Sequence, residues 1–431
     1  MSSPTTPARR LPLVLRNRVF GTVWLGQVLT QAAVRMFQVG VSWWLVAYAV
    51  DGGRGLASGL FMAVSTLPAV ALAPVVARTV ARVNHRTVLR AAAGTAAAAA
   101  TALAAWAYAS DLPLAAAYAA TLALAGCQAF FDPCLTTSVP ELVDDEDIEA
   151  ATGFELSTQS LASLGGALLG ALIVDGAGIA GLAVGCASAY LAAALLLATV
   201  RFRSQAAPDA AGEDGSGTPP RRTLRQILAG LPFVRRILIC FTAANLFTTA
   251  VFVVIPLYTK SVLHDGGGTV ALLEASLGTG TLIGSFTGAR VPGRPTVLGS
   301  YLLGAMAVAL AVPGLAAGRP VMAGSLVVAG WCVGVIGVRF VALFQRLVPT
   351  ADKPGFFAVM QAVLGATFPV ASLLFGLLGD HLSAQTLCLV QAAGLLPAAL
   401  ALALLRTGSD SAGPEEQPSG AEPLVATGGE R

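Results

Sequence analysis

From Val19 to Leu405 the chain alternates apolar blocks of bilayer-spanning length with short charged connections. A helix needs about 20 apolar residues to cross roughly 30 Å of hydrocarbon. Twelve blocks meet that requirement: 19–49, 56–77, 88–109, 113–138, 150–174 and 179–200, then 237–259, 270–289, 296–316, 320–347, 355–379 and 384–405. The pattern predicts an all-α polytopic membrane protein whose twelve transmembrane helices fall six and six around a segment of different character. That segment begins with SQAAPDAAGEDGSGTPP (residues 204–220), small, polar and rich in Pro and Gly, the composition of a disordered linker. RRTLRQILAGLPFVRR (residues 221–236) follows, with Leu224, Ile227, Leu228 and Leu231 among arginines, and reads as a short amphipathic interfacial helix. The expected organisation is a tail (1–18), a six-helix bundle (19–200), a linker with its amphipathic helix (201–236), a second bundle (237–405) and a disordered tail (406–431).

Charged residues make up 11% of the chain and mean hydropathy is +0.75, which leaves no polar surface for a soluble domain. The net charge of +3 matters less than its placement. Counted from a cytoplasmic N-terminus, twenty-one of the twenty-six basic residues fall on inward segments, whereas Arg54, Lys260 and Arg319 fall on outward loops. Basic residues resist translocation, so both termini are expected in the cytoplasm of a bacterial plasma (inner) membrane. The first apolar block is too long for the apolar core of a cleavable signal. The six cysteines are scattered singly and the three histidines form no cluster, so no metal and no cofactor is expected.

The halves echo each other. The fourth span ends in TTSVPELVDDEDIE and the tenth in FQRLVPTADKP, with Pro140 and Pro349 in matching places. The spans that follow close in LLGALIVD (Asp175) and LLFGLLGD (Asp380). Duplicated six-helix halves mark a secondary transporter whose substrate site lies between them.

RNRVFGTVWLGQVLTQ (residues 16–31), SWWLV (42–46), FFDPCLTTSVPELV (130–143), the amphipathic stretch before the seventh span and LFQRLVP (343–349) resemble exporters of the major facilitator superfamily. The similar branch contains the enterobactin exporter and macrolide-efflux pumps. The resemblance implies two pseudo-symmetric six-helix bundles, a monomer and alternating access. The chain departs from the superfamily pattern in three places. After the second span Ala77 stands at the usual glycine and Ala81 at the usual aspartate, while the gating-loop arginines Arg82 and Arg86 remain. In the first span Ala33 and Val34 replace a Gly-Asp pair before Arg35, and in the fifth Gly165-Gly166 replaces Gly-Pro, with Gly170 kept. Proton antiport therefore does not transfer by resemblance alone.

A guanidinium in the bilayer interior costs about 2.5 kcal/mol or more, so Arg35 and Arg339 are expected either to line a wet central cavity or to hold buried ion pairs. Gln27, Gln31 and Gln38 share roughly one face of the first helix, where amides need partners away from lipid. Asn245 and Gln361 are their positional counterparts in the second half. Asp132 and Glu155 are candidates for a proton-carrying carboxylate, since desolvation raises a carboxyl pKa. Glu274 reads as a solvated residue near the outer mouth of the eighth span, and Trp43 and Trp44 as an interfacial belt. Gly280, Gly284 and Gly288 form GxxxGxxxG, and Gly166 and Gly170 share that spacing. Small residues at this spacing let helices approach closely. Because the resemblance places the fifth and eighth helices between the halves, the two glycine sets are expected to form one rocking seam.

No GxxxxGK[ST] loop is present and no nucleophile stands beside a base, so an ATPase or other enzyme is not expected, nor a nucleic-acid partner. Few fixed polar groups in an Ala- and Gly-rich interior fit an amphipathic small molecule, such as a drug, antibiotic or siderophore, better than a sugar. The expected activity is secondary active export through a multidrug-type antiporter. The competing reading is a membrane sensor or scaffold that retains the fold without transporting.

Overall fold

The computed structural model describes residues 13–143, 147–200, 231–349 and 353–409. The expected linker at 204–220, most of the amphipathic segment and the tail beyond 409 lie outside the described residues.

All twelve expected helices form. They are α1 (Arg18–Trp44), α2 (Arg54–Ala71, continued by Ala73–Arg82), α3 (His85–Ala109) and α4 (Leu114–Leu142). One continuous stretch, Ile148–Thr199, then supplies α5 (148–177) and α6 (179–199), which Gly178 separates at φ 68°. Glycine enters that left-handed region without the steric cost a side chain would bring. The second half comprises α7 (Pro232–Thr249, continued by Val251–Tyr258), α8 (Gly267–Thr287), α9 (Pro295–Leu315), α10 (Arg319–Leu347), α11 (Lys353–His381) and α12 (Ala384–Ser409). No strand occurs among the described residues.

Local chemistry sets the helix ends. The Asn17 side chain caps α1 by accepting from the Val19 and Phe20 amides at 3.1 Å each, and Asn84 caps α3 by accepting from Arg86 N at 3.0 Å. Pro232, Pro295 and Pro320 sit in first turns, where a missing N–H leaves no bond unmade. α1 and α7, equivalent in the two halves, both finish in a five-residue π turn, Leu45–Ala49 and Thr259–Leu263.

Within the first half, α1 and α3 pack along the α5–α6 stretch; within the second, α8 packs on α10 and α9 on α12. The main contacts between halves are α2 with α11 and α5 with α8, a pair that the pseudo-twofold interchanges. A continuous apolar core runs through both halves. A second cluster, including Phe20, Leu89, Phe131 and Leu197, tightens the first half near its start. Leu122, Leu195, Phe286, Leu315 and Leu400 remain exposed on outer faces, where lipid covers apolar groups. Among the described residues, ten helical stretches are long and apolar enough to span a membrane, one of them, Leu164–Thr199, holding the later part of α5 together with α6. α1 is not among them, because Gln27, Gln31, Arg35 and Gln38 interrupt its apolar surface. The described cysteines are buried or half-buried and all free.

Candidate functional site

A cavity of about 580 Å³ lies between the halves. Its walls are mostly apolar, with Met62 and Leu164 from the first half and Phe252, Val333 and Phe368 from the second. Gln38, Asn245, Thr248 and Thr281 add polar groups, and the charged residues on the described wall are Arg35 and Glu274. Arg35 comes from α1 and Glu274 from α8, so opposite halves supply opposite charges, and those charges act on one another. Arg35 is held in place by a chain of hydrogen bonds. Its Nη1 donates to Gln38 Oε1 at 3.0 Å, Gln38 Nε2 donates to Ser65 Oγ at 3.2 Å, and Ser65 Oγ donates to the Met62 carbonyl at 2.8 Å.

The expectation for Glu274 is corrected. α8 begins at Gly267, so Glu274 stands seven residues in, about 10 Å along the axis, on the inner face of the helix rather than at a solvated mouth.

A second, smaller cavity of about 230 Å³ lies inside the first half, and Gln38 borders both. Asp132 on its wall accepts from Gln31 Nε2 at 2.7 Å and from Gln128 Nε2, which ties α1 to α4. Tyr190 also lines this cavity, and its hydroxyl is buried without a hydrogen-bond partner among the described residues. The spacing of four between Gln128 and Asp132 puts both on one helix face, a signal the sequence carried. Tyr190 left no such trace.

The remaining candidates separate. Asn245 lines the main cavity and donates to the Leu364 carbonyl at 3.0 Å and to Thr367 Oγ1 at 2.6 Å, joining α7 to α11. Gln27 is buried in the helix packing. Gln361 is exposed on α11 and is not on the described wall, where Phe368, two turns further along, takes its place. Arg339 is also corrected, because it lies about 30 Å from the start of α10 and donates to the Gly293 carbonyl in the α8–α9 connection. Arg82 is exposed at the end of α2; Arg86 opens α3 with its Nε buried and without a hydrogen-bond partner among the described residues. The Glu155 and Ala81 side chains lie outside the described residues.

The glycine seam is a further correction. A Cβ on Gly166 would come within 2.7 Å of the Ala32 carbonyl, and one on Gly170 would press on Met36 and Gly40, so both meet α1. Gly280, Gly284 and Gly288 abut Val327, Trp331 and Val335 of α10. These contacts lie inside the halves, because α1 and α10 are the helices that the two glycine faces meet, while α8 approaches α5 at Gly267, against Ala171. Trp43 belongs to no belt either; it is buried, and its Nε1 donates to Asp175 Oδ1 at 2.6 Å.

Twelve helices in two halves around a cavity that both line define a membrane transporter. Residues 23–291 match the model of the Major Facilitator Superfamily, and the chain belongs to that superfamily. No curated protein matches the chain in sequence. Among solved structures, the fold is similar to a bacterial homologue of the human lysosomal transporter Spinster, inward-facing and occupied (TM-score 0.69, 11% identity, covering 90% of this chain and 96% of that one). It is similar as well to an inward-facing bacterial homologue of the iron transporter ferroportin (0.67, 17%, 90% and 98%) and to a D-xylose–proton symporter (0.67, 13%, 89% and 96%). The chain is a transporter of this superfamily's type, not an enzyme.

Proposed function

We propose that the chain is a secondary active transporter that exports an amphipathic small molecule (a drug, antibiotic or siderophore) by alternating access. The observation that carries this reading is the cavity itself, which is mostly apolar and bears one cation and one carboxylate from opposite halves. Its volume of about 580 Å³ suits a drug-sized ligand. Apolar walls take the hydrophobic body, and the Arg35 guanidinium offers a fork of donors to an acidic group. A sugar would need more fixed hydrogen-bonding groups than Gln38, Asn245, Thr248 and Thr281 supply.

Glu274, Asp132 and Glu155 are the candidates for proton coupling. Glu274 is favoured because its charge acts on Arg35 across the two halves. Protonation or substrate binding there changes the site and the attraction between halves in one event, which is what coupling requires. The arginine bias supports a topology with both termini in the cytoplasm, and the membrane of this reading is a bacterial plasma membrane. In this reading the bundles are 19–200 and 237–405, with 201–236 as a cytoplasmic linker, and the protein works as a monomer. Binding of an acidic and a neutral fluorescent dye of similar size to purified protein tests the cavity. Arg35→Gln is expected to weaken the acidic dye selectively, and equal affinity of both dyes for wild type and variant would contradict the reading.

A further inference from the structure

The ends of α5 and α11 carry the paired motifs LLGALIVD and LLFGLLGD, whose final aspartates the substrate cavity does not use. The structure places the two carboxylates in equivalent positions. Asp175, in the first half, accepts from the Gly267 amide that opens α8 of the second half. Asp380, in the second half, accepts from the Gly55 amide at 2.8 Å and the Leu56 amide at 3.1 Å, both in the first turn of α2 in the first half. Each half therefore extends a carboxylate to a helix N-terminus of the other.

The receiving ends are built for this. The first N–H groups of a helix have no partner within the helix and carry the positive end of its dipole. α2 follows Asp51-Gly52-Gly53 and α8 follows Asp265-Gly266, with Gly267 as its first residue, so DGG recurs at the start of both. A Cβ on Gly55 would lie 2.9 Å from the Gly379 carbonyl carbon, and one on Gly266 would lie 2.7 Å from Asp175 Oδ2. Glycine is what lets the helices come close enough for the carboxylates to reach. No arginine or lysine pairs with either aspartate among the described residues. The counter-charge is the helix end itself, and it is available only while the halves touch. Trp43 and Tyr48 hold the Asp175 carboxylate from its own half, at 2.6 and 2.9 Å.

We propose that Asp175 and Asp380 are reciprocal gate clamps that close the transporter at the end opposite its termini and let go when the cavity opens there. A carboxylate on a helix N-terminus is a weaker lock than a buried ion pair, as a gate that opens in every cycle needs. When the seam parts, water solvates both carboxylates and both helix ends, so opening strands no charge. Both clamps bias one two-state equilibrium, so each can be weakened separately and their effects multiply.

The proposal deepens the alternating-access reading and is tested on substrate-free protein in nanodiscs. Spin labels at Leu60 and Leu377 report the α2–α11 seam, and labels at Leu172 and Leu272 the α5–α8 seam, with all six native cysteines replaced by alanine. Asp175→Asn and Asp380→Asn are each expected to raise the ratio of long to short distances about three- to tenfold at both seams, and the double variant by the product. Tyr48→Phe removes a bond to Asp175 that does not cross between halves, and is expected to leave the distances unchanged. Unaltered distances in a monodisperse double variant would overturn the proposal, as would a Tyr48→Phe shift equal to that of Asp175→Asn. If neither aspartate variant folds, Gly55→Ala and Gly267→Ala take their place with the same expected widening, and unchanged distances there count equally against the clamps. Unchanged distances in a protein that still exports a dye refute the clamps alone; absence of dye export by wild type bears on the transport reading and leaves the distances standing.

Discussion

Arg35 donates to Gln38 three residues further along α1, at 3.0 Å, and both side chains line the cavity into which Glu274 projects from the other half. Gln38 is in turn fixed by Ser65 on α2, so the guanidinium is oriented before any ligand arrives. Preorganisation of this kind reduces the ordering cost of binding. Gln38→Leu is therefore expected to weaken binding of an acidic dye about tenfold, close to 1.4 kcal/mol, while neutral dyes change less. Fluorescence titration of purified protein checks it.

Gly284 lies against the Trp331 backbone, and a Cβ there would stand 3.0 Å from the Trp331 carbonyl carbon. Overpacking of this sort costs about 1–3 kcal/mol. Gly284→Leu is expected to lower the thermal stability of the purified protein, because α8 can no longer seat on α10. A variant as stable as wild type but blocked in transport would instead restore a gating role for this glycine.

Asn245 spans α7 and α11 through two hydrogen bonds. Interhelical bonds in membranes average about 0.6 kcal/mol. Asn245→Ala should cost about 1 kcal/mol of stability by that measure. Denaturation in mixed micelles gives the number, and a loss several times larger would mean that the side chain is needed to shape the cavity.

Outside the membrane, Asp265 accepts from Arg319 at 2.7 and 3.0 Å and from Thr269 at 3.1 Å. The Arg319 bonds hold its carboxyl below the ordinary 3.8. A carboxyl lowered by folding contributes stability above its ordinary value and loses it as pH falls through the folded value. The stability gap between wild type and Asp265→Asn should be flat from neutral pH down to about 4 and close on further acidification. Melting temperatures across that range decide it; a gap that widens in acid would reverse the assignment.

The sequence made the helices and the two halves readable because twenty-residue apolarity has one solution in a bilayer. It made single positions readable only where depth and facing were both fixed. Glu274 was misplaced because the eighth span was drawn from 270 and the helix starts at Gly267. Arg339 was misplaced although its span was drawn to within one residue, because a 29-residue helix is longer than the hydrocarbon it crosses and its last turns leave the interior. Gly280 and Gly284 announce a close approach, but the spacing does not name the partner. Trp43 at a helix end fits a lipid interface or a buried seam equally well, and the deciding fact, Asp175, lies 132 residues away. The paired terminal aspartates were legible from the start, and the DGG repeat stood in the sequence without being read. Their meaning needed the fold, which alone brings α5 to α8 and α11 to α2.

The most direct test of the account is efflux of an acidic fluorescent dye from an efflux-deficient bacterium expressing the protein, with and without a protonophore, beside Glu274→Gln. Efflux by wild type that stops with the protonophore and with the variant, while the variant still binds dye, is the predicted result. Uphill efflux that survives both would contradict proton coupling through the cavity between the halves.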